Sequence, residues 1–281
     1  MTAPDHPPGT PPSAAIDSRA AALLEPLTTL VIEAGAAILA IRQRAHGIET
    51  KTDGSPVTEA DLAADRIIAE GLARLAPDIP SLSEERACDA TFPFAELFFV
   101  VDPLDGTKEF IAGRDEFTVN VALVANGTPI LGVVGAPALG LLWRGHVGHG
   151  ATRVVCDAAG GTAVEPIHTR PLPASGAPWI AAVSRSHGDA RTEAFIAARP
   201  GAACKTLGSA VKFGRVADGS VDIYPRLSPT SEWDVAAGHA VVVAAGGKVT
   251  DAQGRPLHYG TGRSDFILPD FIAWGDPTVA P

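Results

Sequence analysis

Two aspartates, Asp102 and Asp105, follow an apolar run in the stretch VVDPLDGTKEF. Burying an unpaired carboxylate is energetically very costly. Two aspartates at the end of a buried strand therefore need a compensating charge. Pro103 stiffens the turn between them, so both side chains and the carbonyl of Leu104 can converge on one point. Hard oxygen ligands suit Mg²⁺, which joins a few carboxylates to a substrate phosphate. The stretch is therefore a candidate site for metal and phosphate.

Gly106 and Thr107 come next, at the predicted start of a short helix. Free backbone amides at the start of a helix favour a phosphate oxygen. The alternative is an Asx-turn in which Asp105 only caps that helix, and the letters DPLDGT by themselves do not decide between the two.

Further carboxylates stand at two other places in the chain. Glu84 and Glu85 occur in LSEE, in a predicted loop, and Asp234 begins an Ala-rich predicted helix in WDVAAGHAVVVAAGG. The simpler alternatives are a solvated acidic pair for the first and a helix cap that responds to the helix dipole for the second. Each position on its own is only a candidate for a further metal ligand.

Composition limits the class of protein. The chain has 281 residues, 46% hydrophobic and 19% charged, which suffices for a sizeable packed core. A formal charge of −10 argues against a non-specific grip on nucleic acid or anionic lipid. The first sixteen residues hold five prolines and no Lys or Arg, which predicts a disordered tail and not a signal peptide. No uninterrupted apolar run reaches the roughly 18 residues of a membrane helix, so we expect a cytoplasmic protein without stable membrane insertion.

The first half of the chain reads as α+β. An apolar stripe predicts a helix from Leu27, with Pro26 in its first turn, that ends at Gly47. Thr58 is a predicted N-cap of a second helix, with Asp61 three positions on. Strands are predicted over 97–101, 117–124, 130–134 and 141–143, with Asn126-Gly127 as a hairpin turn.

The second half reads as α/β. A segment with four prolines, 166–178, is the candidate connection, and strands and helices alternate after it. Strands are predicted over 179–183 and 221–224, and helices over 189–199, 209–217 and 234–245. We therefore expect a tail over 1–16, an α+β metal-binding domain over 17–168 and an α/β substrate-binding domain over 169–281.

The motifs SEE, DPLDGT and WDVAAG, in this order, resemble the magnesium-dependent, lithium-sensitive phosphomonoesterase superfamily that contains inositol monophosphatase and fructose-1,6-bisphosphatase. The likeness runs from about Leu27 to about Phe271 and includes SPVTEAD, EFTVNVALV, ILGVVGAP, SRSH, GSAVKF and YPR. Within the superfamily these segments are similar to bacterial 3'(2'),5'-bisphosphate nucleotidases. The resemblance implies a layered αβαβα sandwich with metals at the junction of the two halves.

The resemblance also implies roles for the acidic residues. Glu85 is not usually a direct ligand in this superfamily. Thr107 and Asp61 would form a pair that, with Glu84 nearby, helps to activate a water held at the metals. Without the resemblance, both would be interpreted as helix caps. The implied ligands of two or three Mg²⁺ ions are Glu84, Asp102, the carbonyl of Leu104, Asp105 and Asp234.

Substrate choice is implied to come from the second half. Four residues correspond to positions that hold the second, non-reacting phosphate: His187, Ser209, Lys212 and Arg226. Asp105, Gly106, Thr107 and Asp234 are also expected to bind the substrate. Taken singly, the second-phosphate residues have plainer interpretations, with Lys212 and Arg226 as surface charges, Ser209 as an N-cap and His187 as a loop residue.

The expected activity is hydrolysis of the 3'-phosphate of adenosine 3',5'-bisphosphate, with the sulfated analogue as a further candidate substrate, in sulfate assimilation. The alternatives are an inositol monophosphatase, a histidinol-phosphate phosphatase, or a non-catalytic module that senses the nucleotide. The expected partner is this small nucleotide and not a nucleic acid. We expect a monomer or homodimer, in the cytoplasm or on the cytoplasmic face of the inner membrane.

Overall fold

A computed structural model describes residues 12–44, 48–50, 56–89, 95–156, 161–171, 173, 177–186, 188–199, 201–260 and 266–280. Its helices are α1 (Ala14–Arg42), α2 (Glu59–Leu75), α3 (Thr107–Ile111), α4 (Ala190–Ala197), α5 (Val211–Ala217) and α6 (Glu232–Ala244). Short 3₁₀ turns cover Glu84–Asp89, Pro137–Leu139 and Pro277–Val279.

The strands of the first half are β1 (Ile48–Thr50), β2 (Pro56–Thr58), β3 (Ser81–Ser83), β4 (Leu97–Asp105), β5 (Thr118–Ala125), β6 (Thr128–Ala136), β7 (Leu141–His146), β8 (Gly150–Cys156) and β9 (Thr162–Ile167). Those of the second half are β10 (Ile180–Ser184), β11 (Ala203–Leu207), β12 (Ile223–Arg226), β13 (Thr230–Ser231), β14 (Lys248–Thr250), β15 (Ile267–Leu268) and β16 (Phe271–Trp274).

Helix α1 begins earlier than the apolar stripe indicates. The Ser13 side chain accepts a hydrogen bond from the amide of Ile16 and so caps the helix at its start. Residues 14–16, expected in the disordered tail, are therefore helical, and that part of the prediction is wrong. Pro26 lies inside the helix and not in its first turn, for the same reason. Residues 1–11 of the predicted tail lie outside the described residues.

By length and composition, α1 also meets the requirements of a membrane span. An 18-residue window of this helix has a mean hydropathy of 1.6, although 44% of the window is buried inside the protein. Among the buried residues, Leu27, Val31 and Ile38 pack in the same core as Ile68 of α2. A helix of a protein core passes the same test. Our expectation of no stable membrane insertion stays a prediction.

A seven-stranded sheet forms the centre of the first half. Its strand order is β3-β4-β5-β6-β7-β8-β9, parallel between β3 and β4 and antiparallel elsewhere. The predicted hairpin is confirmed, since Asn126 and Gly127 have φ values of 49° and 73° between the paired Ala125 and Thr128. Strands β8 and β9 were not predicted. Several of their residues are exposed to solvent, and their sequences lack a clear alternation of apolar and polar side chains.

The second half forms a five-stranded sheet in the order β11-β10-β12-β16-β14. Strand β10 pairs in parallel with β11 and β12, whereas β16 is antiparallel to β12 and β14. The predicted helix 209–217 begins two residues later, at Val211, and the predicted helix 234–245 begins two residues earlier, at Glu232. The α/β character of this half is confirmed.

The layers follow from three apolar cores. Helices α1 and α2 pack on one face of the seven-stranded sheet. Helices α5 and α6 lie between its other face and the five-stranded sheet. Helix α4 covers the outer face of that second sheet, where Ile196 contacts the cluster of Ile223 and Trp274. This αβαβα order confirms the predicted fold class.

Helix α6 lies very close to the seven-stranded sheet. A Cβ atom on Gly132 of β6 would lie 2.2 Å from the carbonyl oxygen of Ala237, and one on Gly145 of β7 would lie 2.6 Å from Cβ of Ala244. Glycine at these positions allows the backbones to approach. One continuous core holds Trp143 together with residues of α5 and α6, so apolar packing crosses the predicted boundary at residue 168, and the division into domains stays a prediction.

Candidate active site

A bulge in β4 positions the first two carboxylates. Asp102 pairs with Asn120 and Asp105 pairs with Thr118, so three steps along β4 match two steps along β5. Side chains three apart on a regular strand point to opposite faces, and the extra residue cancels this alternation. Asp102 and Asp105 can therefore serve one site.

A third carboxylate joins them from the second half. Carboxylate oxygens of Asp102, Asp105 and Asp234 all lie within 4.8 Å of one another. Asp234 occupies the first turn of α6, and its Oδ2 accepts a hydrogen bond from Oγ1 of Thr230 at 2.8 Å. Thr230 was not predicted, although it stands four residues before Asp234. The close packing of α6 on the sheet thus determines where Asp234 lies.

The electrostatics of this cluster favour a cation. Burial, followed by the charges of Glu84, Asp105 and Asp234, raises the pKa of Asp102 well above its usual range. Burial and the neighbouring Asp105 raise the pKa of Asp234 to about 7. Oδ1 of Asp102 accepts from the amide of Leu104, but its buried Oδ2 has no hydrogen-bond partner among the described residues. An orphaned oxygen within an all-oxygen donor set fits a hard divalent cation.

Glu84 reaches the cluster from the neighbouring strand. It follows β3 directly, and the register of Ser83 opposite Val101 brings it beside the end of β4. Glu84 lines the same cavity as Asp105 and Asp234. The alternative of an acidic pair in open solvent is therefore wrong for Glu84. Glu85 does not line that cavity.

Asp61 is both a helix cap and a site residue. Its Oδ2 accepts from the amide and the hydroxyl of Thr58, at 2.8 and 2.6 Å, which completes the predicted capping box of α2. Its Oδ1 accepts from Oγ1 of Thr107 at 3.1 Å. Thr107 is not a cap, because Gly106 occupies the N-cap position of α3. The two interpretations left open for Asp61 are thus compatible.

Gly106 connects the cluster to α3 in a conformation that favours glycine. Its φ is 91°, and a Cβ atom there would lie 3.3 Å from both the carbonyl oxygen of Glu116 and Cβ of Ser209. Ser209 donates to Oδ2 of Asp105 at 2.7 Å. Ser209 itself has a φ of 52°, and the N-cap of α5 is Ala210, so its interpretation as an N-cap is wrong.

Lys212 is buried, which contradicts its interpretation as a surface charge. It is 2% exposed, and its Nζ donates to the carbonyl oxygens of Ser209 and Leu207, at 2.6 and 3.4 Å. Burial lowers its pKa to about 8, while the carboxylate of Asp105 acts in the opposite direction. Nζ lies 5.1 Å from the centre of the Tyr224 ring. An ammonium has three donors, so one N–H remains for an anion.

Arg226 supplies a second cation on the same wall. Its Nη1 lies 3.8 Å from Oδ2 of Asp234, and its buried Nε has no hydrogen-bond partner among the described residues. Its side chain is 13% exposed, so it too differs from an ordinary surface charge. His187, the remaining residue of the expected second-phosphate set, lies outside the described residues.

One cavity collects most of the expected site. It is lined by Glu84, Asp105, Gly106, Thr107, Ser209, Lys212, Arg226 and Asp234. Asp61, Asp102 and Leu104 lie behind this lining and are almost fully buried. Sequence reasoning missed Glu109, which also lines the cavity and accepts from Oγ of Ser186 at 2.7 Å. Ser186 could have been found from the sequence, because it stands in the motif SRSH next to the predicted His187.

A second cavity adjoins the first and shares Ser184 and Arg226 with it. Its volume is about 410 Å³, and its lining includes Val183, Ile196 and Pro225. Apolar walls beside a polar chamber suit a ligand with charged groups at one end and a flat ring system at the other.

Known proteins are similar to this chain in sequence and in fold. Residues 20–269 match the model of the inositol monophosphatase family. The chain is 41% identical over 252 residues to the 3'(2'),5'-bisphosphate nucleotidase CysQ of Escherichia coli O157:H7, which covers 89% of this chain and 98% of that protein. The crystal structure of CysQ from Bacteroides thetaiotaomicron is 34% identical with a TM-score of 0.71, over 92% of this chain and 97% of its own. An IMPase from Thermotoga maritima is 27% identical with a TM-score of 0.70, over 89% and 91% of the two chains.

Proposed function

We propose that this chain, which belongs to the inositol monophosphatase family, is the phosphatase that removes the 3'-phosphate of adenosine 3',5'-bisphosphate to give AMP and phosphate. Its sulfated analogue is a second candidate substrate. The observation that carries the proposal is the buried ammonium of Lys212, in the same cavity as Asp105 and Asp234. A buried cation beside an acidic cluster can hold a further anionic group, and the second phosphate of the substrate would supply that group.

Mg²⁺ is the cation we propose, in two or three positions. The ligands would be Glu84, Asp102, the Leu104 carbonyl, Asp105 and Asp234, all of them oxygen donors, as Mg²⁺ prefers. The ions, when bound, lower the pKa of a coordinated water and offset the charge of the phosphate. Lithium sensitivity, a property of the resembled superfamily, stays a prediction for this chain.

The protein's own residues would orient the attacking water. Thr58 holds one oxygen of Asp61, so the other oxygen is available to Thr107. Because the Thr107 hydroxyl donates to Asp61, its lone pairs can accept a hydrogen bond from the water, and as Thr107 takes the water proton its own proton would pass to the Asp61 carboxylate. Glu84, on the same cavity wall, is a second acceptor for that proton.

Replacing Thr107 with valine is expected to lower kcat by about 10²–10⁴-fold, because the shape is kept and the proton acceptor is lost. The KM for the bisphosphate is expected to change little, since Lys212 and Arg226 are untouched. Steady-state assays of phosphate release give both constants. The matched control is Thr29→Val on α1, an exposed threonine outside the cavity, which should behave as the wild type. An unchanged kcat for Thr107→Val would remove Thr107 from the mechanism.

The nucleoside would occupy the second cavity. Arg226 and Ser184 belong to both cavities, so a phosphate held by Arg226 leaves the rest of the nucleotide facing the walls of Ile196 and Pro225. These apolar walls fit a purine better than the hydroxyl-rich ring of an inositol. This proximity favours a nucleotide over the sugar-like substrates of other family members.

The test is phosphate release by the purified protein in Mg²⁺ from adenosine 3',5'-bisphosphate, inositol 1-phosphate and histidinol phosphate in parallel. We expect the highest kcat/KM for the bisphosphate. A preference for either monophosphate would move the chain to another branch of the family. Tight nucleotide binding without turnover would instead support a sensor, which the complete Thr107–Asp61 pair argues against.

The proposed setting is sulfate assimilation, where adenosine 3',5'-bisphosphate is a by-product. We propose a cytoplasmic location and a monomer or homodimer, with no nucleic-acid partner. The net charge of −10 supports the last point.

A further inference from the structure

A buried hydroxyl on β5 lies close to the acidic cluster without belonging to it. Thr118 is the first residue of β5 and is 0% exposed. It stands directly opposite Asp105 in the register of β4 and β5. Thr118 does not line the cavity that holds Asp105. Because its side chain has no access to a substrate in that cavity, any effect of Thr118 on the site must pass through a neighbouring residue.

That neighbour is Ser209. Oγ1 of Thr118 lies 2.5 Å from Oγ of Ser209, and Oγ of Ser209 lies 2.7 Å from Oδ2 of Asp105. The two contacts join residues 91 and 104 positions apart in the sequence, so they form only when the second half of the chain packs on the first. A chain of hydrogen bonds thus runs from β5, through the loop before α5, to a proposed metal ligand.

The number of protons determines the direction of this chain. A serine hydroxyl has one proton, and an ionised carboxylate has none. Ser209 therefore donates to the carboxylate of Asp105, whose backbone carbonyl oxygen lies further away, at 3.0 Å. With its proton used in this way, Ser209 accepts from Thr118, although the distance alone would let either hydroxyl donate. Thr118 is the donor, and a side chain without a hydroxyl cannot replace it.

Ser209 needs support because of its backbone. Its φ of 52° lies in the left-handed region, which most residues other than glycine adopt at a cost and keep only where surrounding contacts hold them. The preceding amide, of Gly208, donates to Oε2 of Glu116 at 3.0 Å. The carbonyl of Ser209 accepts from Nζ of Lys212 at 2.6 Å. These two contacts hold the backbone of the loop, and Thr118 supplies the contact that fixes the hydroxyl.

A fixed hydroxyl on Ser209 restrains one oxygen of Asp105. The carboxylates of Asp102 and Asp234 lie within 4.8 Å of Asp105, and without a cation their like charges oppose one another. The hydrogen bond from Ser209 resists displacement of Asp105 from the cluster. Ligating carboxylates are commonly held in this way, and loss of the partner typically costs about 10- to 100-fold in metal affinity or activity.

We propose that Thr118 is a positioning residue for the metal centre: its hydroxyl orients Ser209, which in turn holds Asp105 for the cation. The inference rests on the proposed Mg²⁺ site and adds a residue that the proposed mechanism does not use. The plainer alternative is that Thr118 only fills space in the core. Valine keeps the volume and lacks the hydroxyl, whereas serine keeps the hydroxyl and lacks a methyl group. The two roles therefore predict opposite results for the two substitutions.

The test is binding of Mg²⁺ to the full-length protein, stripped of metal by a chelator and measured by calorimetry without nucleotide. We expect Thr118→Val to bind Mg²⁺ about 10- to 100-fold more weakly than the wild type, and Thr118→Ser to stay within about threefold of it. In assays of phosphate release, the Mg²⁺ concentration that gives half of the maximal rate should rise by the same factor in Thr118→Val. Saturating Mg²⁺ should largely restore its kcat. A space-filling role would instead weaken Thr118→Ser and spare Thr118→Val.

The matched control is Thr250→Val, because Thr250 is 1% exposed and its hydroxyl accepts from Nε1 of Trp274 outside the cavity. This variant should bind Mg²⁺ as the wild type does. Equal Mg²⁺ affinity in the wild type and Thr118→Val would overturn the role of Thr118 alone. So would weakened binding in Thr118→Ser, even if the valine variant failed to fold. A wild type that binds no Mg²⁺ would overturn the proposed metal centre and this inference with it.

Discussion

Asp105→Asn is expected to lower phosphate release in Mg²⁺ by about 10³-fold or more. The change removes one charge from a cluster whose other members, Asp102 and Asp234, lie within 4.8 Å. A metal ion contributes several kcal/mol of charge stabilisation to the transition state, and about 4 kcal/mol corresponds to roughly 10³ in rate. Asparagine keeps the size of the side chain and an oxygen to accept from Ser209, so the loss would report the charge.

The measurement is the initial rate at several Mg²⁺ concentrations, with the wild type in excess chelator as a second inactive sample. Asp115→Asn is the matched control, because Asp115 is exposed and pairs with Arg42 outside the cavity. Near-normal turnover in Asp105→Asn, or in the chelated wild type, would contradict the metal-dependent mechanism.

The same substitution should stabilise the metal-free protein. After burial, the charge of Asp105 is one cause of the raised pKa values of both Asp102 and Asp234, as expected for carboxylates that lie within 4.8 Å of one another. Removing one of three nearby negative charges lowers their mutual repulsion. We therefore expect a higher free energy of unfolding for Asp105→Asn than for the wild type without metal, and a smaller gain on adding Mg²⁺. A merely damaged fold would lower stability in both conditions.

Lys212→Met is expected to abolish the preference for the bisphosphate. A hydrogen bond to a charged group contributes about 1.5–3 kcal/mol, which predicts a fall in kcat/KM of about 10- to 150-fold for adenosine 3',5'-bisphosphate. Activity on inositol 1-phosphate should change by less than about threefold, since the acidic cluster is retained. Methionine preserves the apolar stem in the buried site.

The pH dependence of kcat/KM distinguishes a role of the Lys212 charge from a role of its side chain in packing. Burial lowers its pKa to about 8, and only the protonated form attracts a phosphate. The charged fraction in the free enzyme falls as pH rises through 8, so kcat/KM for the bisphosphate should decline above that pH. Lys212→Met should lack this decline. Lys205→Met, at an exposed lysine on β11, should keep it. A bisphosphate preference that survives Lys212→Met would exclude the second-phosphate role.

Local sequence patterns were enough to predict many of the helices, strands and turns. The capping box of Thr58 and Asp61 depends on residues three apart, and the Asn126-Gly127 turn depends on two adjacent residues. Strand β4 was predicted from its apolar run, but its end was placed at Val101, because the bulge that continues it to Asp105 depends on pairing with β5.

The arrangement of the site depends on contacts that local patterns do not encode. Thr107 meets Asp61 across 46 positions of sequence, and Ser209 meets Asp105 across 104. The burial of Lys212 is hidden in the same way, since a lysine in a helical pattern is normally a surface residue. The resemblance to a family indicated these residues, whereas their neighbours Thr230 and Glu109 were found only from the folded chain.

The dependence of Asp234 on the packing of α6 also bears on biosynthesis. Translation runs from the N-terminus, so a ribosome releases Asp102 and Asp105 well before Asp234. Until α6 has been made and has packed on Gly132, the nascent sheet carries an acidic cluster that lacks one of its members. We therefore expect activity that needs all three carboxylates to begin only after α6 has been synthesised and has packed on the sheet.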